Sequence, residues 1–342
     1  MNAAVRPRSV PAAAGQAQMQ AIVRHRYGTV PEEVLRLERV DRPVAGRGEV
    51  LVRVRAAGVD AGTWHLMTGV PYLMRLVTGL RGPKMAVAGW AVAGTVEAVG
   101  EDVTGFAPGD AVFGTCRGSF AQYTAAKASR LAAKPASLTF EQAAALPNSA
   151  NTALRAVRDK AKVRPGQHVL VIGAGGGVGT FAVQIAKAFG AEVTAACGTA
   201  KTDLVRAIGA DHVLDYTRED PVSGQRRYDV VIDIGGDRPV ARLRRALAPK
   251  GTLVLTGGTG GPLLGGMDRN MRAQLLSPFV SQRLTAFIAP ESRADLITLG
   301  EMADSGAIAP SIDRAYPLSQ AAAALRHLAE GRARGKVVIS VV

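Results

Sequence analysis

Hydrophobic and polar positions follow two different rhythms along this chain. Before residue 125 the period is two. Glu49 to Ala56 (E-V-L-V-R-V-R-A) alternates strictly, which predicts a half-exposed strand. Met19–Arg26 and Leu35–Val40 alternate enough for strands, the first at a sheet edge. Val87–Gly100 predicts a strand with a glycine bend, Pro108–Phe113 a turn into another, and Ser119–Thr124 one more. Gly58–Met67 reads as a turn and a short helix. Many short strands with glycine corners predict an all-β, barrel-like unit.

The rhythm then changes. Thr139-Phe140-Glu141-Gln142 is a capping box that starts one helix, and Asn151–Lys160 predicts the next. Val169–Ile172 is a continuous apolar run, expected to be a buried parallel strand. Seven residues with five glycines follow, and then Phe181, Val183, Ile185, Ala186 and Ala188 recur at helical spacing until Gly190 closes the helix at C′. Ala191–Cys197, Val213–Leu214, Val230–Ile234 and Thr252–Thr256 read as further strands, with helices at Lys201–Ile208 and Pro239–Leu247 between them. This alternation predicts an α/β doubly wound parallel sheet. Pro262–Phe287 is apolar with interspersed arginines. Leu296–Ser305 and Leu318–Glu330 predict helices, and Lys336–Val341 a closing strand. The expected organisation is a flexible extension over 1–18, a β-rich unit over 19–145 completed by 316–342, and a nucleotide-binding unit over 146–315. A targeting peptide is the alternative for the extension.

The glycine stretch carries the first chemistry. Gly173, Ala174, Gly175, Gly176, Gly177, Val178 and Gly179 lie between a strand and a helix, the context a dinucleotide fingerprint requires. The spacing is G-x-x-G-x-x-G, because Val178 breaks the strict G-x-G-x-x-G. Such a turn lets backbone approach a pyrophosphate at a helix N-terminus. The next strand ends in Cys197, Gly198 and Thr199, where an NAD site usually has an acid for the ribose 2′-OH. A hydroxyl at Thr199, a cation at Lys201 and Tyr216 in a later turn suit a 2′-phosphate, so NADPH is the expected cofactor. The plainer reading of Lys201 is a solvated first-turn lysine.

At 342 residues the chain is long enough for two domains. Cys116 and Cys197 are its only cysteines, which excludes a disulfide framework and suits a reducing, cytoplasmic setting. No apolar run reaches a membrane-spanning length. The net charge of +14 raises nucleic acid or an anionic membrane as partners. The arginines are scattered, with no aromatic-interleaved basic stripe, so an overall arginine-rich bias accounts for the charge and no obligate nucleic acid is expected.

Several stretches together carry a resemblance. G-T-V-E-A-V-G (94–100), F-A-P-G-D-A-V-F-G (106–114), L-T-F-E-Q-A-A-A-L-P (138–147), I-G-A-D-H-V-L-D-Y (208–216), G-K-V-V-I (335–339) and the glycine turn resemble the medium-chain dehydrogenase/reductase superfamily, in its zinc-independent quinone oxidoreductase branch. The likeness runs from about Ala21 to the end of the chain. It implies a GroES-like β-rich barrel domain and a Rossmann domain with a cleft between them, and reduction of a small hydrophobic quinone, enone or related carbonyl by NADPH. Trans-acting enoyl reduction in lipid or polyketide assembly is the alternative on the same scaffold. A non-catalytic NADPH-sensing or nucleic-acid-binding protein is a further one. Where zinc enzymes of the superfamily carry ligands, this chain has Gly58-Val59-Asp60-Ala61-Gly62 and Gly89-Trp90-Ala91, so no metal is expected. Relatives commonly carry an acid where Ala91 stands.

The same resemblance directs attention to the catalytic candidates. Thr152, in the helix after Pro147, is the expected nicotinamide-side contact, against the alternative of a hydroxyl satisfied within its helix. Asp60 either takes part in catalysis or caps the short helix, and His65 is either catalytic or structural. Tyr72 is a candidate proton donor or a packing aromatic. Thr256, Gly257 and Gly258 sit where backbone can meet a carboxamide. The apolar stretches Trp64–Leu80 and Met267–Phe287 either line a large cleft, pack a homodimer, rest peripherally on a membrane or pack between domains.

Overall fold

A computed structural model describes residues 17–258 and 261–341. The expected extension over residues 1–18 lies outside them except for its last two residues, and Gln18 already opens the first strand. The β-rich part holds β1 (Gln18–Arg24), β2 (Leu35–Asp41), β3 (Glu49–Val59), β4 (Ala91–Val99), β5 (Ala111–Thr115), β6 (Tyr123–Lys127) and β7 (Leu131–Ala133). The parallel sheet holds β8 (His168–Ile172), β9 (Glu192–Cys197), β10 (His212–Asp215), β11 (Tyr228–Asp233), β12 (Leu247–Leu255) and β13 (Arg283–Ala286). The chain ends on β14 (Ile312–Pro317) and β15 (Lys336–Ser340).

β3 is the spine of the first part. It pairs antiparallel with β4 along its length, with β6 over its first half and with β15 over its last residues. Val50, Val52 and Val54 are buried while Arg53 and Arg55 face solvent, as the alternation predicts. Past Ala56 the alternation stops, because the helix Phe140–Ala144 covers the other face. A Cβ on Gly58 would lie 2.4 Å from the Ala144 carbonyl oxygen, so only glycine allows this contact.

The second sheet runs β10-β9-β8-β11-β12-β13, with every pair parallel. The order reverses direction at β8, and the crevice beyond the strand C-termini at that point is where this architecture binds ligands. Val169, Leu170, Val171 and Ile172 are essentially inaccessible, as expected of a strand packed on both faces.

Some boundaries differ from expectation. The strand expected at Ser119–Thr124 forms at Tyr123–Lys127, and Phe120 instead exchanges backbone hydrogen bonds with Ile22 and Ala88. The helix expected from Asn151 begins at Leu146, with Pro147 in its first turn, and widens into π turns over Arg155–Ala161. Within Pro262–Phe287 lies β13, whose four residues (Arg283, Leu284, Thr285, Ala286) carry too little pattern to announce a strand. β7 and β14 were also not foreseen. The helix expected over Leu318–Glu330 is α-helical only over Ala321–Ala329.

The two parts meet at the glycine turn. The Gly335 N–H donates to the Gly175 carbonyl at 3.0 Å, and Gly176 and Gly335 form a parallel bridge. The last loop of the chain therefore returns onto the fingerprint.

Candidate active site

Gly173 leaves β8 at φ +85°, a conformation side chains disfavour. Its N–H and that of Ala174 both donate to the Ala196 carbonyl at 3.0 Å, which pins the turn to β9. Gly176 caps the helix Gly177–Ala188. A Cβ on Gly179 would lie 2.2 Å from the Gly173 oxygen, so this glycine sets how closely helix and strand pack. A Cβ on Gly176 would meet nothing nearer than 3.5 Å. Helix geometry leaves the N–H groups of Gly177, Val178 and Gly179 without intrahelical acceptors. A Gly176 that leaves room without a clash, beside orphan donors at a helix N-terminus, fits a pyrophosphate.

Beyond β9, Lys201 lies along Gly175, whose Cβ would be 2.7 Å from the lysine Cβ. The Lys201 ammonium donates to the Gly331 carbonyl at 2.9 Å. Burial pushes its pKa below the ordinary lysine value, opposed by the Asp313 carboxylate. The Thr199 hydroxyl donates to Asp215 at 2.6 Å and lies 2.9 Å from that of Thr217. Asp215 was not foreseen from sequence. It sits on β10, and strand pairing brings it beside Cys197. Hydrogen bonds from Thr199 and Thr217 lower its pKa. Tyr216 is exposed and lines an open cavity of about 420 Å³ with Arg218, Asp220, Arg238 and Arg242. The Arg238 guanidinium carbon stands 5.9 Å from the Tyr216 ring centre. Arg238 comes to this place from the segment after β11.

At the other end, the Thr256 N–H donates to the Asp233 carbonyl at 3.1 Å, while its buried hydroxyl has no partner among the described residues. A Cβ on Gly257 would lie 2.5 Å from the Ile234 oxygen. Asp233 is wholly buried at the end of β11 and takes a hydrogen bond from Arg269. No local pattern announces this pair, since Arg269 lies on the helix Met267–Leu276, 36 residues away.

From the barrel side, Asp60 caps the helix Ala61–Thr68, accepting from the Thr63 N–H at 3.1 Å. Its second oxygen accepts from the Asn148 amide. The His65 Nδ1 lies 2.8 Å from the Val70 carbonyl and donates to it, which orients the ring. The Thr152 hydroxyl donates to the Asn148 carbonyl one helical turn earlier at 2.8 Å. Tyr72 stands apart from these groups. It is exposed, its ring lies under the Arg75 guanidinium, and its backbone N–H is tied to the Pro262 carbonyl. In the sequence Lys336 reads only as the first residue of a closing strand. It is fully buried, donates to the Val59 carbonyl and to the Ser149 hydroxyl at 3.0 Å each, and has a pKa lowered by burial. It thereby ties the barrel, the helix Leu146–Leu154 and the glycine turn together.

Among the described residues no three His, Cys, Asp or Glu side chains gather as a metal site. No helix among them is long and apolar enough to cross a membrane.

Comparison with known proteins bears on the family and the fold. Residues 46–136 match the alcohol dehydrogenase GroES-like domain, and residues 208–339 match a family described as zinc-binding dehydrogenase. The mitochondrial NAD(P)H oxidoreductase RTN4IP1 of Mus musculus is 32% identical, over 86% of this chain and 82% of its own. The 2-methylene-furan-3-one reductase of Solanum lycopersicum is 32% identical, over 92% of this chain and 76% of its own. The quinone oxidoreductase structure from Coxiella burnetii superposes with a TM-score of 0.83 at 27% identity, covering 95% of this chain and all of that one. The chain belongs to the medium-chain dehydrogenase/reductase superfamily, in its quinone-oxidoreductase-like part, and is an oxidoreductase that uses a nicotinamide cofactor.

Proposed function

We propose that the protein reduces a hydrophobic quinone, enone or related carbonyl with NADPH, without a catalytic metal, in a reducing compartment such as the cytoplasm. The carrying observation is the end of β9: Cys197, Gly198 and Thr199 offer no carboxylate, Lys201 lies on the glycine turn, and the Tyr216 hydroxyl stands against Gly198. A nearby carboxylate, Asp215, is already engaged by two threonine hydroxyls. A 2′-phosphate would draw Lys201 from the Gly331 carbonyl and gain a charge-assisted hydrogen bond.

The bound dinucleotide supplies the hydride. The protein's residues hold and orient it. The first turn of Gly177–Ala188 would take the pyrophosphate, and the unpartnered Thr256 hydroxyl with the Gly257 backbone would hold the carboxamide. Asn148 holds Thr152 through its carbonyl and Asp60 through its amide, so these three form one connected unit that would flank the nicotinamide. His65, whose Nδ1–H is held by Val70, offers its other ring nitrogen as an acceptor for an O–H donor such as the hydroxyl of a reduced product.

The test is a fluorescence titration with NADPH and NADH, followed by turnover of a panel of quinones and enones. NADPH should bind roughly tenfold or more tightly, one charge-assisted contact's worth. Tighter NADH binding, or reduction of small water-soluble enones far ahead of lipophilic quinones, would sink the reading.

A further inference from the structure

The excursion after the short helix Ala61–Thr68 leaves large apolar side chains in water. Leu76, Val77 and Leu80 are 62%, 77% and 68% exposed. They are joined by Leu73 and, from the loop after β12, by Leu263. The two loops are stitched together: the Tyr72 and Leu73 N–H groups donate to the carbonyls of Pro262 and Leu263. Apolar surface held out on two interlocked loops is unusual for a monomer unless something covers it.

The charge around it says what. No Asp or Glu occurs between Asp60 and Glu97, while Arg81 and Lys84 are exposed beside the apolar tip. Arg75 is occupied by the Tyr27 and Tyr72 rings and the Gly69 carbonyl. On the facing segment Asp268 is the single acid between Pro262 and Pro290, and it pairs with Arg272. A second copy of the same face would bring cations against cations. An anionic lipid surface offers hydrocarbon to the leucines and phosphate to the cations.

We propose that this face docks the enzyme on anionic membranes. His65 precedes one loop and Thr256–Gly258 the other, so docking would set the candidate site next to the lipid phase. That consequence rests on the reductase reading, but the docking itself does not.

The test is flotation of the full chain with vesicles of phosphatidylcholine alone and of phosphatidylcholine mixed with phosphatidylglycerol. Association with the mixed vesicles only, falling as salt rises, is expected. The double variant Leu76→Asp, Val77→Asp should lose it by roughly tenfold or more. Arg81→Ser with Lys84→Ser should lose roughly thirtyfold. Reduction of a water-soluble acceptor should stay unchanged in both variants. Absence of binding at low salt, or binding that survives both variants, overturns the proposal. So does a dimer in sedimentation equilibrium that the Leu76→Asp, Val77→Asp change dissociates. Failure to bind NADPH would sink the cofactor reading and leave the vesicle result standing.

Discussion

The indole N–H of Trp90 donates to the Glu291 carboxylate at 2.6 Å, and the other oxygen of that carboxylate meets Arg130 at 2.8 Å. Trp90 comes from the loop before β4, and Glu291 from the loop after β13. One carboxylate thus ties the barrel to the parallel sheet. Next to it the Asn151 amide donates to the Pro290 carbonyl, which fastens the same loop to a helix that carries candidate site residues. Glu291→Ala should cost about 1.5–3 kcal/mol in urea unfolding, since a hydrogen-bonded charge is removed. Glu291→Gln, which can keep the indole contact, should cost less than half of that.

The glycine turn separates packing from binding. Gly179→Ala places a methyl against backbone and should lower both stability and nucleotide affinity. Gly176→Ala makes only an ordinary contact, 3.5 Å from the Gly173 oxygen, and should unfold within about 0.5 kcal/mol of the parent. Its NADPH affinity should still fall roughly tenfold, because the methyl takes up room meant for phosphate. Equal affinity in the Gly176→Ala protein would mean that the pyrophosphate lies elsewhere.

Lys201→Ala tests the cofactor choice directly. Its NADPH dissociation constant should rise roughly tenfold to a hundredfold, the worth of a charge-assisted hydrogen bond. The NADH constant should scarcely move. A parallel loss for both cofactors would place Lys201 in turn packing and not on the 2′-phosphate.

Asp304 accepts from the Ser137 N–H at 3.0 Å and from the Ser137 hydroxyl at 2.7 Å, and these bonds hold its pKa below the ordinary value of 3.8. A depressed folded-state pKa gives stability that is present above the unfolded value and disappears as pH falls through the folded one. Asp304→Asn should therefore flatten the stability-versus-pH curve on the acid side. Chemical denaturation from neutral pH down through the carboxylate range would show it. An unchanged acid slope would mean that the Ser137 contact is absent in solution.

Burial pushes the Cys116 thiol up to about 12 and raises that of Cys197 as well. Neither should react with a thiol-specific maleimide in the folded protein at neutral pH, and both should react in denaturant. Labelling of the native chain would show that one of the two parts opens locally.

Much of the fold could be read in one dimension because its signals are local. β3 shows its alternation in eight consecutive residues, β8 its apolar run in four, and the Thr139 cap forms within one turn. The glycine turn declares itself for the same reason, since strand, turn and helix are contiguous. β13 and β14 escaped because short strands at a sheet edge draw their pairing from partners distant in sequence.

The site divides in the same way. By itself the sequence determined the fingerprint, the missing acid after β9 and the absence of zinc-ligand types where the superfamily places them. Each depends only on residue type at a stated spacing. Tertiary structure alone decided that Asp215 engages Thr199, that Arg238 reaches Tyr216, that Lys336 lies buried beneath the glycine turn, and that Glu291 closes on Trp90. Those contacts join residues that come together only when two sheets pack, and their strength comes from the burial that packing creates.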